Sequence, residues 1–212
     1  MTPLLKVQCF GVSADGFGAG EGQSLEQPFG HVGPGDLLGW AMATSARSSS
    51  DSATRGLDDY FMRDMAHGIG AEIMGRNKFG PVRGPWLDDE WQGWWGDEPP
   101  FHTPVFVLTH HERAPLTLSD TTFHFMNASP HDALAAAMAA ANGLDVRLGG
   151  GVSTVRQFLD AGLVDTLHVT VAPIEIGRGE RLWNSPDDLN DRYHHETVPS
   201  ASGVIHHLFW RR

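Results

Sequence analysis

Apolar residues in this chain fall into short runs, some alternating with polar neighbours and some spaced for one face of a helix. Leu4 to Val12 reads as a first strand. Ser13 to Gly35 is rich in glycine and has no period, which predicts a long loop. Asp36 to Ala46 has helical spacing, with Asp36 as its expected N-cap, and Leu57 to His67 predicts a second helix ended by Gly68 and Gly70. Between them Thr44 to Gly56 is rich in serine and is expected to be mobile. Ala71–Met74, Val105–Leu108 and Thr122–Met126 are β-type runs, whereas Asn77 to Pro104 has no clear period. Ser129 and Pro130 start an alanine-rich helix ending near Ala141. Asp145–Leu148 reads as a strand running into three glycines and a helix whose face carries Val152, Val155, Phe158 and Leu159. Thr166 to Ala172 predicts a strand with Leu167, Val169 and Val171 inward and His168 and Thr170 outward. Arg192–Val198 and Val204–Trp210 predict a closing hairpin.

Strands alternating with helices, then a hairpin, predict an α/β sheet that is parallel in part. One domain over residues 1–212 is expected, two small ones being the alternative. Asp and Glu number 26 against 15 Lys and Arg, a formal charge of −11, which argues against general nucleic-acid binding. The only cysteine, Cys9, permits no intrachain disulfide and fits a reducing cytoplasm. The first residues lack a signal-peptide core, and no apolar run approaches the roughly 18 residues of a membrane span. The 12 histidines fall in neither an H-E-x-x-H pattern nor a Cys/His ligand set, so no metal is expected.

The chemistry concentrates at Gly149-Gly150-Gly151. Glycines at a strand-to-helix turn let a ligand approach the backbone. The following helix N-terminus suits a phosphate, and Ser153 and Thr154 add hydroxyls. The alternative is a tight turn whose glycines serve packing alone. The G-x-G-x-x-G spacing is absent, as is G-x-x-x-x-G-K-[ST], so a dinucleotide here would need another architecture.

Five segments stand in order: Ser13-Ala-Asp-Gly-Phe17, Ile73-Met-Gly-Arg-Asn-Lys-Phe79, Val107-Leu-Thr-His-His111, Gly149-Gly-Gly-Val-Ser-Thr154 and Ala172-Pro-Ile-Glu-Ile-Gly-Arg-Gly-Glu-Arg-Leu182. Together they resemble the dihydrofolate reductase superfamily, closest to the C-terminal reductase domain of the bacterial riboflavin-pathway deaminase/reductase. The resemblance implies a mixed, mostly parallel central sheet flanked by helices, with a C-terminal antiparallel hairpin. It also implies NADPH as cofactor, hydride transfer to a C=N or C=O bond of a small, perhaps pterin- or pyrimidine-like substrate, and a homodimer. Leu208, Phe209 and Trp210 would supply apolar dimer contact.

Carried onto this chain, Gly75, Arg76, Asn77 and Lys78 would meet cofactor phosphates, and Gly149, Gly150, Gly151, Ser153 and Thr154 the pyrophosphate. Thr109, His110 and His111, with Arg113 beside them, would hold the 2′-phosphate, favouring NADPH over NADH. Ser13, Ala14 and Asp15 would lie near the nicotinamide. For catalysis the candidates are Asp59, Asp15 and Glu175. Asp59 lies 15 residues before Met74, and a carboxylate there in an apolar cleft would have a raised pKa. Each has a plainer alternative: a surface ion pair for Arg76, an exposed strand end for His110-His111, a turn for Asp15-Gly16 and a helix start for Asp58-Asp59.

Trp86, Trp91, Trp94 and Trp95 fall within ten residues and must pack, either as a sheet cover or dimer contact or as walls of an aromatic pocket. The zinc signature of a deaminase is absent. Two readings stay open beside the reductase: a non-catalytic NADP(H)-binding module, and a true dihydrofolate reductase. A scaffold that binds no nucleotide is a third.

Overall fold

The computed structural model describes residues 2–86 and 91–212. The part of the Asn77–Pro104 segment at residues 87–90 lies outside the described residues. Backbone contacts divide the chain into two compact units, neither contiguous in sequence. The first comprises residues 1–6, 24–26 and 68–165, and the second residues 7–23, 27–67 and 166–212.

The first unit is built on parallel strands: β3 (Ile69–Gly75), β4 (Val105–Leu108), β6 (Thr121–Met126) and β7 (Asp145–Leu148). β3 pairs in parallel with β4 on one side and with β7 on the other, and β4 pairs in parallel with β6. The Leu5–Lys6 end of β1 (Leu5–Ser13) runs parallel to β7. A short β5 (Leu116–Leu118), not apparent in the sequence, closes the far edge antiparallel to β6. β3 is buried along almost its whole length, as expected of a parallel strand covered on both faces. Helix α4 (Pro130–Ala140) packs on β3, β4 and β7 through Ala133 and Ala137, and Ser129 caps it by accepting from the Asp132 N–H. Met74, Phe79, Val105, Val107, Phe123 and Phe125 form a core against which Trp86, Trp91 and Trp95 pack. The tryptophan segment is therefore a cover for this sheet, Trp95 lying parallel to Phe123 at 5.7 Å between ring centres.

In the second unit, β8 (Thr166–Ala172) pairs antiparallel with β11 (Ile205–Arg211), which pairs antiparallel with β10 (Tyr193–Pro199). The expected hairpin thus has a third strand. Helices α1 (Pro34–Met42) and α2 (Leu57–Asp64) pack on each other through a core of Trp40, Ala41, Met62 and Val204. α1 begins earlier than expected. Its cap is Gly33, and Asp36 sits three residues inside, accepting the Gly33 N–H at 2.8 Å. The loop expected from Ser13 to Gly35 contains β2 (Phe17–Ala19), paired with β9 (Glu180–Arg181). The inward–outward reading of β8 fails, because His168 and Thr170 are buried. That face is covered by α2, whose Phe61 ring lies 4.3 Å from the His168 ring.

Candidate functional site

The parallel strands of the first unit bring their carboxyl ends to one edge of the sheet. The chain leaves β3 toward β4 on one flank, while β7 lies on the other, so the β3/β7 boundary is where an open α/β sheet offers a crevice. Gly75 ends β3, and Gly149-Gly150-Gly151 follow β7 before α5 (Val152–Asp160). The Gly75 N–H donates to the Gly150 carbonyl at 2.6 Å and the Gly149 N–H to the Ile73 carbonyl at 2.8 Å. The Gly150–Gly151 peptide is cis. A Cβ on Gly75 would land on Thr154 Oγ1, and one on Gly149 on Lys78 Nζ and Glu72 Oε1. Glycine is needed here for close approach. α5 is capped by Gly151, which offers its first-turn N–H groups no side-chain acceptor. Ser153 is exposed in that turn, whereas Thr154 is buried.

The residues after Gly75 form a single-turn helix, α3 (Arg76–Phe79), where no period was legible. Its two cations point to different neighbours. Lys78 Nζ reaches the Glu72 carboxylate at 2.8 Å. Glu72 is 1% exposed and also takes Arg147, whose Nε lies 2.8 Å away. Burial works to raise the Glu72 carboxyl, but Lys78 and Arg147 outweigh it and hold it below its ordinary value. Neither Glu72 nor Arg147 was singled out from sequence. The usable signal was the lone glutamate in the otherwise apolar β3 and an arginine between the apolar Val146 and Leu148 of β7, which the register pairs directly.

Arg76 turns the other way. Its guanidinium lies 3.9 Å above the Trp86 ring and donates to the Gly84 carbonyl. Its Nε and Nη2 are buried and meet no hydrogen-bond partner among the described residues. Burial, then the charges of Arg83 and Arg113, draw its pKa below the ordinary arginine value. Arg113 also lies over Trp86, at 4.9 Å. Trp86 Nε1 donates to the His111 carbonyl, which places the turn after β4 beside this cluster. Thr109 Oγ1 accepts the His111 N–H at 3.1 Å, His110 is exposed and contacts Asn127, and Asn77 accepts from Arg83. The first unit therefore gathers every residue assigned to cofactor phosphates along one sheet edge.

Ser13, Ala14, Asp15, Asp59 and Glu175 belong to the second unit. The Ala14 N–H donates to the Ile174 carbonyl. Asp15 accepts from the Ser13 hydroxyl at 2.6 Å and from the N–H groups of Ile176 and Gly177 at 3.0 and 2.7 Å. Burial works to raise its carboxyl, but these donors hold it below the ordinary value. Asp59 does not sit unpaired in an apolar cleft. Arg63 Nε donates to it at 2.8 Å, joined by Ser45 and the Ala46 N–H, and these contacts lower its pKa instead of raising it. Glu175 is exposed.

The neighbour of Asp59 on α2, Asp58, is buried as well and was not among the sequence candidates. His206 Nε2 donates to Asp58 at 2.8 Å, and His206 Nδ1 lies 2.8 Å from His168 Nε2. Two adjacent acids at a helix start do not reveal which one meets a histidine and which an arginine.

The mixed, mostly parallel sheet with antiparallel C-terminal strands is a dihydrofolate reductase-like fold. The fold matches that of a Shewanella sp. PV-4 protein assigned to riboflavin biosynthesis, at TM-score 0.57 and 19% identity, covering 100% of this chain and 99% of that one. A pyrimidine reductase-like protein from Corynebacterium diphtheriae matches at TM-score 0.53 and 16% identity, with 100% and 92% covered. Enterococcus faecalis dihydrofolate reductase in complex with NADP(H) matches at TM-score 0.55 and 15% identity, with 99% and 96% covered. The family model of the RibD C-terminal domain matches residues 7–201, and the chain belongs to that family. No curated protein sequence matches the chain.

Proposed function

We propose that the chain is an NADPH-dependent reductase acting on a small pyrimidine- or pterin-like heterocycle. One observation carries the cofactor half: among the described residues Arg76 holds two buried guanidinium nitrogens without a hydrogen-bond partner, beside further arginines, in a chain of net charge −11. A desolvated cation without an anion is costly, and a phosphate would satisfy it in the fork geometry that guanidinium favours. The rest of the edge fits a dinucleotide. Arg76 and Arg113 beside the Thr109–His111 turn would take a 2′-phosphate. Gly149–Gly151 and the α5 N-terminus would take a pyrophosphate, with Lys78 beneath. NADPH bound there supplies a hydride. The chain's part is to fix the phosphates and so orient the reacting end. The substrate class is supported by family membership and by the neighbours' names.

A second reading, a module that binds NADP(H) without turnover, is favoured by the state of Asp15 and Asp59. Both are engaged by donors and held below their ordinary values, which suits neither to release a proton at neutral pH. Titrating tryptophan fluorescence with NADPH and with NADH tests the cofactor. Tighter NADPH binding, reduced by Arg76→Ala, is expected, and no binding of either by folded protein rejects both readings. NADPH oxidation with pyrimidine and pterin substrates then separates the two. The reductase reading also carries a cytoplasmic homodimer, although Phe209 cannot contribute because it is buried within its unit. Trp210 is exposed, and light scattering that finds only a 23.1 kDa species rejects the dimer.

A further inference from the structure

β11 carries adjacent histidines on its opposite faces, and each is hydrogen-bonded to a second histidine. His168 Nε2 lies 2.8 Å from His206 Nδ1, and His195 Nε2 lies 2.9 Å from His207 Nδ1. We propose that these two imidazole pairs are an acid-released clasp that fastens the C-terminal hairpin within the second unit.

The first pair belongs to a chain whose hydrogens can be placed in only one way while Asp58 is ionised. Asp58 on α2 can only accept, so His206 Nε2 carries the hydrogen. With both rings neutral, His206 Nδ1 accepts from His168 Nε2, and His168 Nδ1 is left to accept the Cys9 N–H of β1 at 3.3 Å. Every lone pair then meets a hydrogen. An added proton finds only a weak acceptor in this chain, the Cys9 sulfur 3.7 Å from His168 Nδ1. On His168 it occupies Nδ1 and faces the Cys9 N–H. On His206 it turns the shared contact around, so that the hydrogen of His168 must again sit at Nδ1. Either way the Cys9 N–H loses its acceptor, and the new N–H of His168 has only the weakly accepting Cys9 sulfur.

Burial reinforces this geometry. His206 is fully buried, Phe61 lies over both rings at 4.3 and 4.7 Å, and Trp40 meets His206 edge-on. Burial, then the charges of His206 and His207, push the His168 pKa down to about 3. The Ser200 and Ser202 hydroxyls of the hairpin turn also bond to Asp58, so one carboxylate holds both the turn and β11.

The second pair joins β10 to β11. The His195 and His207 rings are stacked, with His195 lying on Phe209 at 4.2 Å. A shared imidazole contact tolerates one added proton and not two. Burial and the charge of His195 push His207 down to about 4, opposed by Asp187. The titratable groups facing the clasp are thus Asp58 from α2, Cys9 from β1, His168 from β8, His195 from β10 and Asp187 from the turn of helix at Pro186–Leu189. Acid removes the acceptor nitrogens that join β8 and β10 to β11, and so frees the hairpin.

Hydrogen exchange of the full chain, corrected for intrinsic rates, tests this at about pH 7.5 and about pH 4.5. Peptides covering residues 193–211 should lose at least about tenfold more protection on acidification than those covering β3 and β4. In the variant carrying His168→Gln and His195→Gln, which keeps a hydrogen-bonding nitrogen but cannot be protonated, the loss should disappear. Equal hairpin protection at both pH values, or an identical loss in the variant, overturns the proposal. If the variant does not fold, NMR titration of the unaltered chain decides instead. His168 and His207 should stay neutral to below about pH 5 and then change together with hairpin exchange, and independent titration of either near the ordinary histidine value overturns the clasp.

Discussion

Replacing Glu72 by Gln removes one charge and no volume from the centre of the first unit. The carboxylate is 1% exposed and joins Arg147 and Lys78. The two cations are not equally stranded by its loss. The Lys78 side chain is 29% exposed and can turn to water, whereas that of Arg147 is 9% exposed and cannot. The cost is therefore close to that of one buried charge deprived of its partner, about 3–5 kcal/mol. With a urea dependence of about 2–3 kcal/mol per molar, the unfolding midpoint should fall by roughly 1–2 M, read from the fluorescence of Trp86, Trp91 and Trp95 packed on this core. Replacing both Glu72 and Arg147 by Leu should restore much of the loss, because no unpaired charge remains. The pH dependence has a definite sign. The Glu72 pKa is lowered in the folded chain, so its contribution is present above the unfolded value of about 4.3 and is lost as pH falls through the lower folded value. The gap between the two proteins should be full at neutral pH and close in strong acid. A loss below about 1 kcal/mol at neutral pH would refute the reasoning, since a hydrated or protonated Glu72 would then be the better description.

Gly75→Ala should cost about 1–3 kcal/mol and abolish NADPH binding, because its Cβ lands on Thr154 Oγ1, and adding Thr154→Ala should recover stability in a thermal melt. Asp15→Asn leaves one acceptor where Asp15 takes three donors, so about 1–3 kcal/mol should be lost, with the pH profile of any turnover unmoved. A shifted profile would mark Asp15 as a proton donor. His168 is neutral in the fold down to about pH 3 but titrates near 6.5 when unfolded, so stability is full above 6.5 and declines below it. By pH 5 that decline should reach about 2 kcal/mol, flattened by His168→Gln in urea titrations at several pH values.

β3 and β4 were legible because they are buried on both faces and read as nearly apolar runs. β8 misled for the same reason. Its alternation of histidine and threonine with valine looked half-exposed, yet both faces are covered and the polar residues are hydrogen-bonded inside. β2, β5 and β9 have two or three residues each, too short to carry a period. The glycine turn and the Met-Gly-Arg turn announced themselves through residue types that few other positions require. The carboxylates did not. Asp58 and Asp59 are equivalent in sequence, and only the packing of α2 turns one toward His206 and the other toward Arg63. Arg76 and Lys78, two residues apart, looked like one cationic patch until α3 sent them to separate neighbours.

The indoles that cover the sheet also finish the helix that bears those cations. Trp94 donates to the Lys78 carbonyl and Trp91 to the Phe79 carbonyl, at 2.9 and 3.0 Å, the acceptors that a single-turn helix leaves open at its C-terminal end. The aim of Arg76 and Lys78 is thus set by side chains well downstream that themselves carry no charge. Divergence within the tryptophan segment can redirect these two cations while leaving each of them in place.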